Sequence, residues 1–207
     1  RYHPIDKTEC KRRFGFNPNE KHILVVASNL ESKRMDLTQK VFDEVRKRRN
    51  DVKLIKAGYA ETLVGDDIIN TGWVPESEMP LLYNSADVFL HTSEYEGFCL
   101  PILEAMSCGV PVVVSNKASI PEVVGPCGNM VDLDAHDVIE QFANKIFSCI
   151  DKGIDEEAIE QSKNFSWQKT ADRTIRVYEK VYDESRILKG ASLMAKLFHH
   201  GIDRGVN

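Results

Sequence analysis

Six short apolar runs, rich in β-branched residues, alternate with stretches of helical periodicity and restrict the fold more than any other feature. The strong runs cover residues 22–28, 52–57, 86–93 and 110–116, and the weaker ones cover residues 68–71 and 129–131. Near-continuous apolar strands indicate burial on both faces, as in a parallel sheet covered by helices. The alternation of strand and helix therefore predicts an α/β fold with a doubly wound parallel sheet.

The helical stretches each carry one apolar stripe. Residues 37–45 repeat apolar side chains at helical spacing, and so do residues 138–147, where Gly153 marks the end. Beyond residue 154 the pattern is helical only, and Ser166 is placed to cap a helix. Residues 192–207 are partly amphipathic, but one Lys and one Arg among them favour a helix with a frayed tail over docking on a membrane surface.

Composition excludes several classes of protein. The 207 residues suit one domain with a tail or two small domains, and the formal net charge of -5 argues against a nucleic-acid partner. No two of the five cysteines have C-x-x-C spacing, so we expect reduced thiols in a cytosolic protein and no metal site. The chain starts without an initiator Met or an apolar signal region, so we expect a longer parent protein upstream.

Ligands of open α/β sheets bind beyond the carboxyl ends of the strands, and residues 93–106 (SEYEGFCLPILEAM) are the most informative segment there. Pro101 suits a helix start, because its missing N–H would be unpaired there anyway. The amides of Phe98, Cys99 and Leu100 would then gather at that start, where free donors and the helix dipole attract phosphate. Gly97 would permit close approach of the backbone to the ligand.

Two carboxylates flank this predicted phosphate site. Glu104 is the only charge in the run FCLPILEAM; it either lies in the first helical turn, where the dipole favours acids, or accepts hydrogen bonds from ligand hydroxyls. Glu96 is either an exposed loop acid or a contact to a neutral part of the ligand such as a sugar, since a carboxylate would repel phosphate.

Two cations follow the first strand. Lys33 and Arg34 precede the next helix, where the dipole disfavours positive charge. They are either a solvated pair or an anion-binding pair, and the mismatch with the dipole favours the second interpretation.

The stretch EGFCLPILEAMSCGVPVVVSN resembles the signature of glycosyltransferase family 4, in which seven residues separate two glutamates, here Glu96 and Glu104. Three further stretches resemble that family in the same order: GWVPESEMPLLYNSADVFLHTS, SIPEVVGPCGNMVD and FSWQKTADRTIRVYEKVYDE. The resemblance extends over about residues 4–184.

This resemblance implies a retaining enzyme of the GT-B type, which has two Rossmann-like domains and binds its sugar nucleotide in the C-terminal one. By position, Glu96 would contact the donor sugar, Glu104 the ribose, and Lys33 the diphosphate. The amides of Phe98, Cys99 and Leu100 would also hold the diphosphate, and the base would lie beside Gly72, Trp73 and Val74. The resemblance implies neither a metal nor a cofactor, because cations and helix ends stabilise the departing phosphate.

Three features depart from the family pattern. Many members carry a Gly-Arg pair after the first strand, and Ala27 and Ser28 stand there in this chain. Ser28 thus lies where the diphosphate is gripped, and Arg34 could replace the missing arginine. The usual small residue after EGF is Cys99, and the Gly-rich turn after the second strand is reduced to Gly58.

The expected organisation is an interdomain linker remnant over residues 1–20, the Rossmann-like donor domain over residues 21–165, and C-terminal helices and a tail over residues 166–207. By the same resemblance we expect the N-terminal acceptor-binding domain to lie outside this chain, so hexosyl transfer would need it as a partner. We expect a cytoplasmic protein, free or at the inner face of the membrane. The alternatives are a non-catalytic subunit of a split glycosyltransferase and, less favoured, a sugar-nucleotide epimerase.

Overall fold

A computed structural model describes residues 1–28, 30–59 and 63–202, with side chains described through Arg186. The chain divides into two compact units, Arg1–Asn164 and Phe165–Asn207. The first unit contains the sheet and all of the candidate site residues.

Six parallel strands form one sheet. They are β1 (Lys21–Val26), β2 (Val52–Ala57), β3 (Ile68–Gly72), β4 (Val88–His91), β5 (Val112–Ser115) and β6 (Asn129–Val131). Their order is β3-β2-β1-β4-β5-β6, and every neighbouring pair is parallel. This confirms the predicted doubly wound parallel sheet and the position of each strand.

Some strands are shorter than their apolar runs. The run over residues 86–93 yields only Val88–His91, because Thr92 and Ser93 turn their hydroxyls to the loop after β1. Ser93 Oγ donates to the carbonyl oxygen of Ser32 at 3.0 Å. The polar residues that end this run therefore belong to the loops at the carboxyl edge of the sheet.

Eight helices accompany the strands within the described residues. They are α1 (Lys7–Arg13), α2 (Met35–Arg48), α3 (Met79–Asn84), α4 (Leu100–Ser107), α5 (Ile120–Val124), α6 (Val138–Cys149), α7 (Glu156–Ser162) and α8 (Trp167–Ile202). The predicted cap of the last helix is confirmed, since Ser166 Oγ accepts from the amide of Lys169 at 3.2 Å. None of the described helices combines the length and apolar character that a membrane crossing needs.

The sheet is buried on both faces. Alternate strand residues such as Leu24 and Phe89 pack with α3, α4 and α5, while Ile23 and Leu90 pack on the other face with α2 and α6. All four of these side chains are inaccessible to solvent. The continuous apolar runs of the sequence follow from this double coverage.

Residues 1–20, predicted as a linker remnant, belong to the first unit, and their helix α1 packs on the rest of it. Asp87 is buried at the start of β4 and accepts hydrogen bonds from Lys7 Nζ at 3.0 Å and Lys11 Nζ at 2.8 Å. Phe16 lies in the core of the sheet unit. A buried charge requires a partner of opposite charge. Asp87 and the two lysines of α1 are such partners for one another.

Candidate functional site

The strand order reverses between β1 and β4, and at such a switch point open α/β sheets bind ligands in the crevice beyond the carboxyl ends of the strands. The region between the loops after β1 and β4 is called the crevice below. Side chains connect the two loops. Thr92 Oγ1 lies 3.1 Å from the carbonyl oxygens of both Lys33 and Arg34, and the amide of Glu94 donates to Ser32 at 2.8 Å. The topology thus brings together the predicted residues of the two segments, which lie about sixty positions apart in sequence.

Glu96 and Lys33 meet in this crevice. Glu96 Oε1 accepts from Lys33 Nζ at 2.5 Å and from His91 Nε2 at 2.7 Å. The Glu96 side chain is 10% exposed, and that of Lys33 is 17% exposed. Burial alone raises the pKa of Glu96, but the hydrogen bonds from His91 and Lys33 outweigh burial and lower that pKa to about 2. The carboxylate is therefore ionised and held by two donors.

His91 is a site residue that the sequence analysis missed. It is the last residue of β4, its side chain is 3% exposed, and Cys99 Sγ lies 3.4 Å from its Nε2. A histidine that ends an apolar strand at the carboxyl edge of a sheet is the signal that could have found it.

His91, Glu96 and Cys99 place three potential metal-ligand atoms within 4.8 Å of one another, as no other trio of such side chains in the described chain does. Two features oppose a cation there. The Lys33 ammonium already contacts the same carboxylate oxygen, and burial raises the pKa of the Cys99 thiol to about 12. We interpret the trio as a hydrogen-bonded cluster.

The helix start predicted from Pro101 lies beside this cluster. Helix α4 begins at Leu100, and Cys99 precedes it with φ 71° and ψ 72°, a left-handed conformation. The first amides of a helix have no intrahelical acceptor and, with the helix dipole, attract anions. A Cβ atom at Gly97 would meet no atom within 4 Å, so the loop is open to a ligand there. The side chains of Phe98 and Leu100 are partly exposed.

Glu104 lies in α4, one turn beyond its start, and is supported by tyrosines. Its Oε2 accepts from the hydroxyl of Tyr83 at 2.8 Å. Tyr83 is fully buried, and Tyr2 packs edge-on against it with ring centroids 5.8 Å apart. Burial, and then the charge of Glu104, raise the pKa of both tyrosines, so their hydroxyls keep their protons. Neither tyrosine was predicted as a site residue.

Arg34 lies in the crevice with its charge already neutralised. It links a 3-10 turn (Glu31–Lys33) to α2 in a left-handed conformation with φ 51°. Its Nε donates to Asp36 at 2.9 Å and its Nη1 to Glu94 at 2.5 Å, and these contacts raise its pKa. An anion would have to compete with both acids for this guanidinium. Ser28 is exposed after β1.

The predicted base-binding turn follows β3. Gly72 has a φ of 67°, Trp73 is 60% exposed, and Val74 packs against the core cluster that contains Ile102 of α4. The turn therefore lies on the α4 face of the sheet. In strand order β3 is three spacings from β4, roughly 14 Å.

Gly58 follows β2 and lies between the ends of β1 and β3, where a side chain would not fit. Its φ is 102°, and a Cβ atom there would lie 2.5 Å from the carbonyl oxygen of Ala27. Its amide donates to Gly72 at 2.8 Å. The close approach of the ends of β1, β2 and β3 thus depends on the absence of a side chain at this position.

A parallel, doubly wound sheet with a crevice at its switch point defines an α/β domain of the Rossmann-like class. The family profile "Glycosyl transferases group 1" matches residues 6–165. The chain belongs to this family of glycosyltransferases.

Two relatives are similar to the chain in sequence, and a solved structure is similar to it in fold. The chain is 46% identical over 112 residues to O-antigen chain mannosyltransferase B of Escherichia coli, covering 52% of this chain and 29% of that protein. It is 33% identical over 139 residues to MMP alpha-(1->4)-mannosyltransferase of Mycolicibacterium hassiacum, covering 62% and 34%. The fold matches the Anabaena protein Alr3699/HepE, solved with UDP and glucose, with TM-score 0.70 and 21% identity over 84% of this chain and 52% of that one. The chain thus spans about a third of these mannosyltransferases and about half of the solved Anabaena protein.

Proposed function

We propose that this chain is the donor-binding half of a retaining mannosyltransferase that uses a nucleoside diphosphate sugar. The carboxylates on either side of the α4 start carry the proposal, because Glu96 and Glu104 are each held by buried partners at the switch point of the sheet. Such placement suits the recognition of hydroxyl groups on both sides of a diphosphate. The two mannosyltransferase relatives support mannose as the sugar.

Each residue has a role in this proposal. Glu96 binds hydroxyls of the sugar and Glu104 binds those of the ribose. Lys33 and the amides at the start of α4 bind the diphosphate and stabilise the charge that develops on it as the sugar leaves. These groups supply the positive charge that the departing diphosphate needs, so the proposal includes no metal ion. The turn over Gly72, Trp73 and Val74 receives the base.

The proposed partner is an acceptor-binding domain that closes over the crevice. Alignment of reacting groups between two domains contributes much of the rate of such a transfer. We therefore expect the chain to bind donor but to transfer little sugar without that domain. With the domain present, proton NMR of the product should show the anomeric configuration of the donor; an inverted product would contradict retention. Cytoplasmic location remains a prediction.

Calorimetry tests donor binding directly. The chain is titrated with GDP, UDP and ADP, and then with the mannose conjugate of each nucleotide that binds. We expect one base to be preferred and the mannose conjugate to bind more tightly than the nucleotide alone. If none of the three nucleotides bound at millimolar concentration, the proposed function would be wrong.

A non-catalytic subunit of a split transferase is the second candidate. Helix α8 favours it, because several of its apolar side chains are more than half exposed and would suit a partner chain: Ile175, Val177, Tyr178, Val181 and Tyr182. Co-purification of the natural full-length product distinguishes the two. A separate acceptor-domain chain in the complex would favour the subunit, and one chain carrying both domains would exclude it.

A further inference from the structure

His91 contacts Glu96, and none of the roles proposed above includes His91. We propose that His91 is a positioning residue for sugar recognition, because its Nε2–H holds Glu96 Oε1 and leaves Oε2 directed to the donor sugar. This inference rests on the proposed function and deepens it.

The hydrogen bonds of Glu96 assign different tasks to its two oxygens. Lys33 and His91 both donate to Oε1, whereas Oε2 has no hydrogen-bond partner among the described residues. A carboxylate only accepts, so Nε2 carries the proton of the His91 contact whatever the charge of the ring. The oxygen left over is the acceptor that a sugar hydroxyl can use.

A bound sugar nucleotide would attract Lys33 away from Glu96 but would leave His91 in place. Lys33 is the cation proposed for the diphosphate, and its flexible four-carbon stem allows its ammonium group to move. A diphosphate at the start of α4 would therefore compete with Glu96 for Lys33. His91 is 3% exposed, lies in β4, and stacks on Phe89 with ring centroids 6.1 Å apart and planes at 12°. Packing therefore holds the histidine in place, whereas the flexible stem of the lysine lets its ammonium group turn to a second anion.

Glu96 would lose its orientation in the bound state if Lys33 were its only partner. A carboxylate that is only 10% exposed is costly without a donor and would rotate toward the nearest positive group, here Lys33 and the start of α4. His91 prevents this rotation. We infer that its hydrogen bond persists when the donor binds, so that Glu96 stays turned to the sugar.

The backbone of Glu96 is fixed independently of His91. Ser119 Oγ donates to the Glu96 carbonyl at 2.9 Å. A change at position 91 therefore acts on the orientation of the carboxylate, while the loop that carries it keeps a separate attachment. This separation makes the inference testable by substitution.

The test compares two variants of His91 with Glu96→Ala. His91→Phe keeps an aromatic ring against Phe89 but removes the donor, and His91→Gln places an amide N–H near the position of Nε2. Calorimetry gives the dissociation constants of the preferred nucleoside diphosphate and of its mannose conjugate, and their ratio measures the contribution of the sugar. Thermal unfolding confirms that each variant is folded.

We expect His91→Phe to reduce this ratio by about tenfold, as far as Glu96→Ala does, and His91→Gln to keep most of it. The affinity for the nucleoside diphosphate alone should stay within about twofold in all variants. The inference is overturned if His91→Phe keeps the wild-type ratio, if it weakens nucleotide and conjugate equally, or if His91→Gln does not rescue. Absence of any nucleotide binding by the wild type would overturn the proposed function and this inference together, whereas a failure confined to His91→Phe leaves the proposed function intact.

A measurement on the wild type keeps the test valid if His91→Phe does not fold. Long-range ¹H–¹⁵N spectra report whether Nε2 of His91 carries a proton and donates. We expect these resonances to persist when the mannose conjugate is added, while the Lys33 ammonium resonance shifts. Loss of the His91 hydrogen bond on donor addition would contradict the inference.

Discussion

Glu96 lies in the loop before α4 and Glu104 lies one turn inside that helix, and different chemistry holds the two carboxylates. Glu96 contacts the Lys33 ammonium and His91, whereas Glu104 accepts from the buried hydroxyl of Tyr83. A cation stabilises an ionised carboxylate strongly and can itself be attracted by another anion, while a buried hydroxyl is a neutral donor that a phosphate does not attract in the same way.

This difference indicates how the crevice responds to a donor. The partner of Glu104 has no second task in the proposed mechanism, so the ribose end of the site is formed before binding. In the same proposal Lys33 serves both Glu96 and the diphosphate, so we expect the sugar end of the site to rearrange when the donor binds. Preorganisation lowers the cost of binding, and the nucleotide should therefore supply most of the affinity.

Replacement of Glu104 should have the largest effect. Glu104→Ala is expected to weaken nucleoside diphosphate binding by about 1–3 kcal/mol, because charge-assisted hydrogen bonds to two ribose hydroxyls are lost. Glu96→Ala should spare the nucleotide and weaken only the contribution of the sugar. Calorimetry with the nucleotide and its mannose conjugate measures both. Equal losses of nucleotide affinity in the two variants would remove the distinction between the carboxylates.

Removal of the Tyr83 hydroxyl tests whether Tyr83 orients Glu104 before the nucleotide binds. Tyr83→Phe keeps the buried ring and deletes the donor that lies 2.8 Å from Glu104. We expect nucleotide affinity to fall by about 0.5–1.5 kcal/mol, since Glu104 stays in place but loses its orientation. Tyr182→Phe is the matched control, because Tyr182 is exposed on α8. If Tyr83→Phe bound nucleotide like the control, the tyrosine would have only a packing role.

The strands could be predicted from the sequence because a strand buried on both faces consists almost entirely of consecutive apolar residues. The apolar run over residues 52–57 became β2 without change, and the Pro101 signal placed the start of α4 within a residue. Lys33 and Glu96 were predicted separately, as donor-binding residues beyond the ends of two strands, and the strand order shows that these strands are neighbours.

The partners of the two carboxylates could not be predicted in the same way. Tyr83 reaches Glu104 only because α3 and α4 pack side by side on one face of the sheet, and no spacing in the sequence records that contact. The pairing of Arg34 with Glu94 has the same origin, because two loops 60 residues apart meet at the crevice. Such contacts depend on how distant parts of the chain pack together, and a single sequence gives little information about that packing.

The last expected effect, on stability rather than on affinity, is a difference in the response to acid. The pKa of Glu96 is lowered from 4.5 to about 2 by its two donors, against the effect of burial, so the ionised form stabilises the fold above pH 4.5. This contribution is lost as the pH falls from 4.5 through about 2, because the unfolded chain takes up the proton first. The free energy of unfolding in urea should therefore fall less steeply over this window for Glu96→Gln than for the wild type.

Two further variants connect this measurement with the comparison of the carboxylates. Lys33→Met leaves His91 as the only donor to Glu96, so its pKa should rise and its pH dependence should lie between those of the wild type and Glu96→Gln. Tyr182→Phe should follow the wild type, because Tyr182 is exposed on α8. The other acids of the chain titrate in every variant, so only the differences between the curves are interpreted. Parallel curves for the wild type and Glu96→Gln would mean that Lys33 and His91 do not stabilise the charge of Glu96, and the contrast between a cation-held and a hydroxyl-held carboxylate would no longer hold.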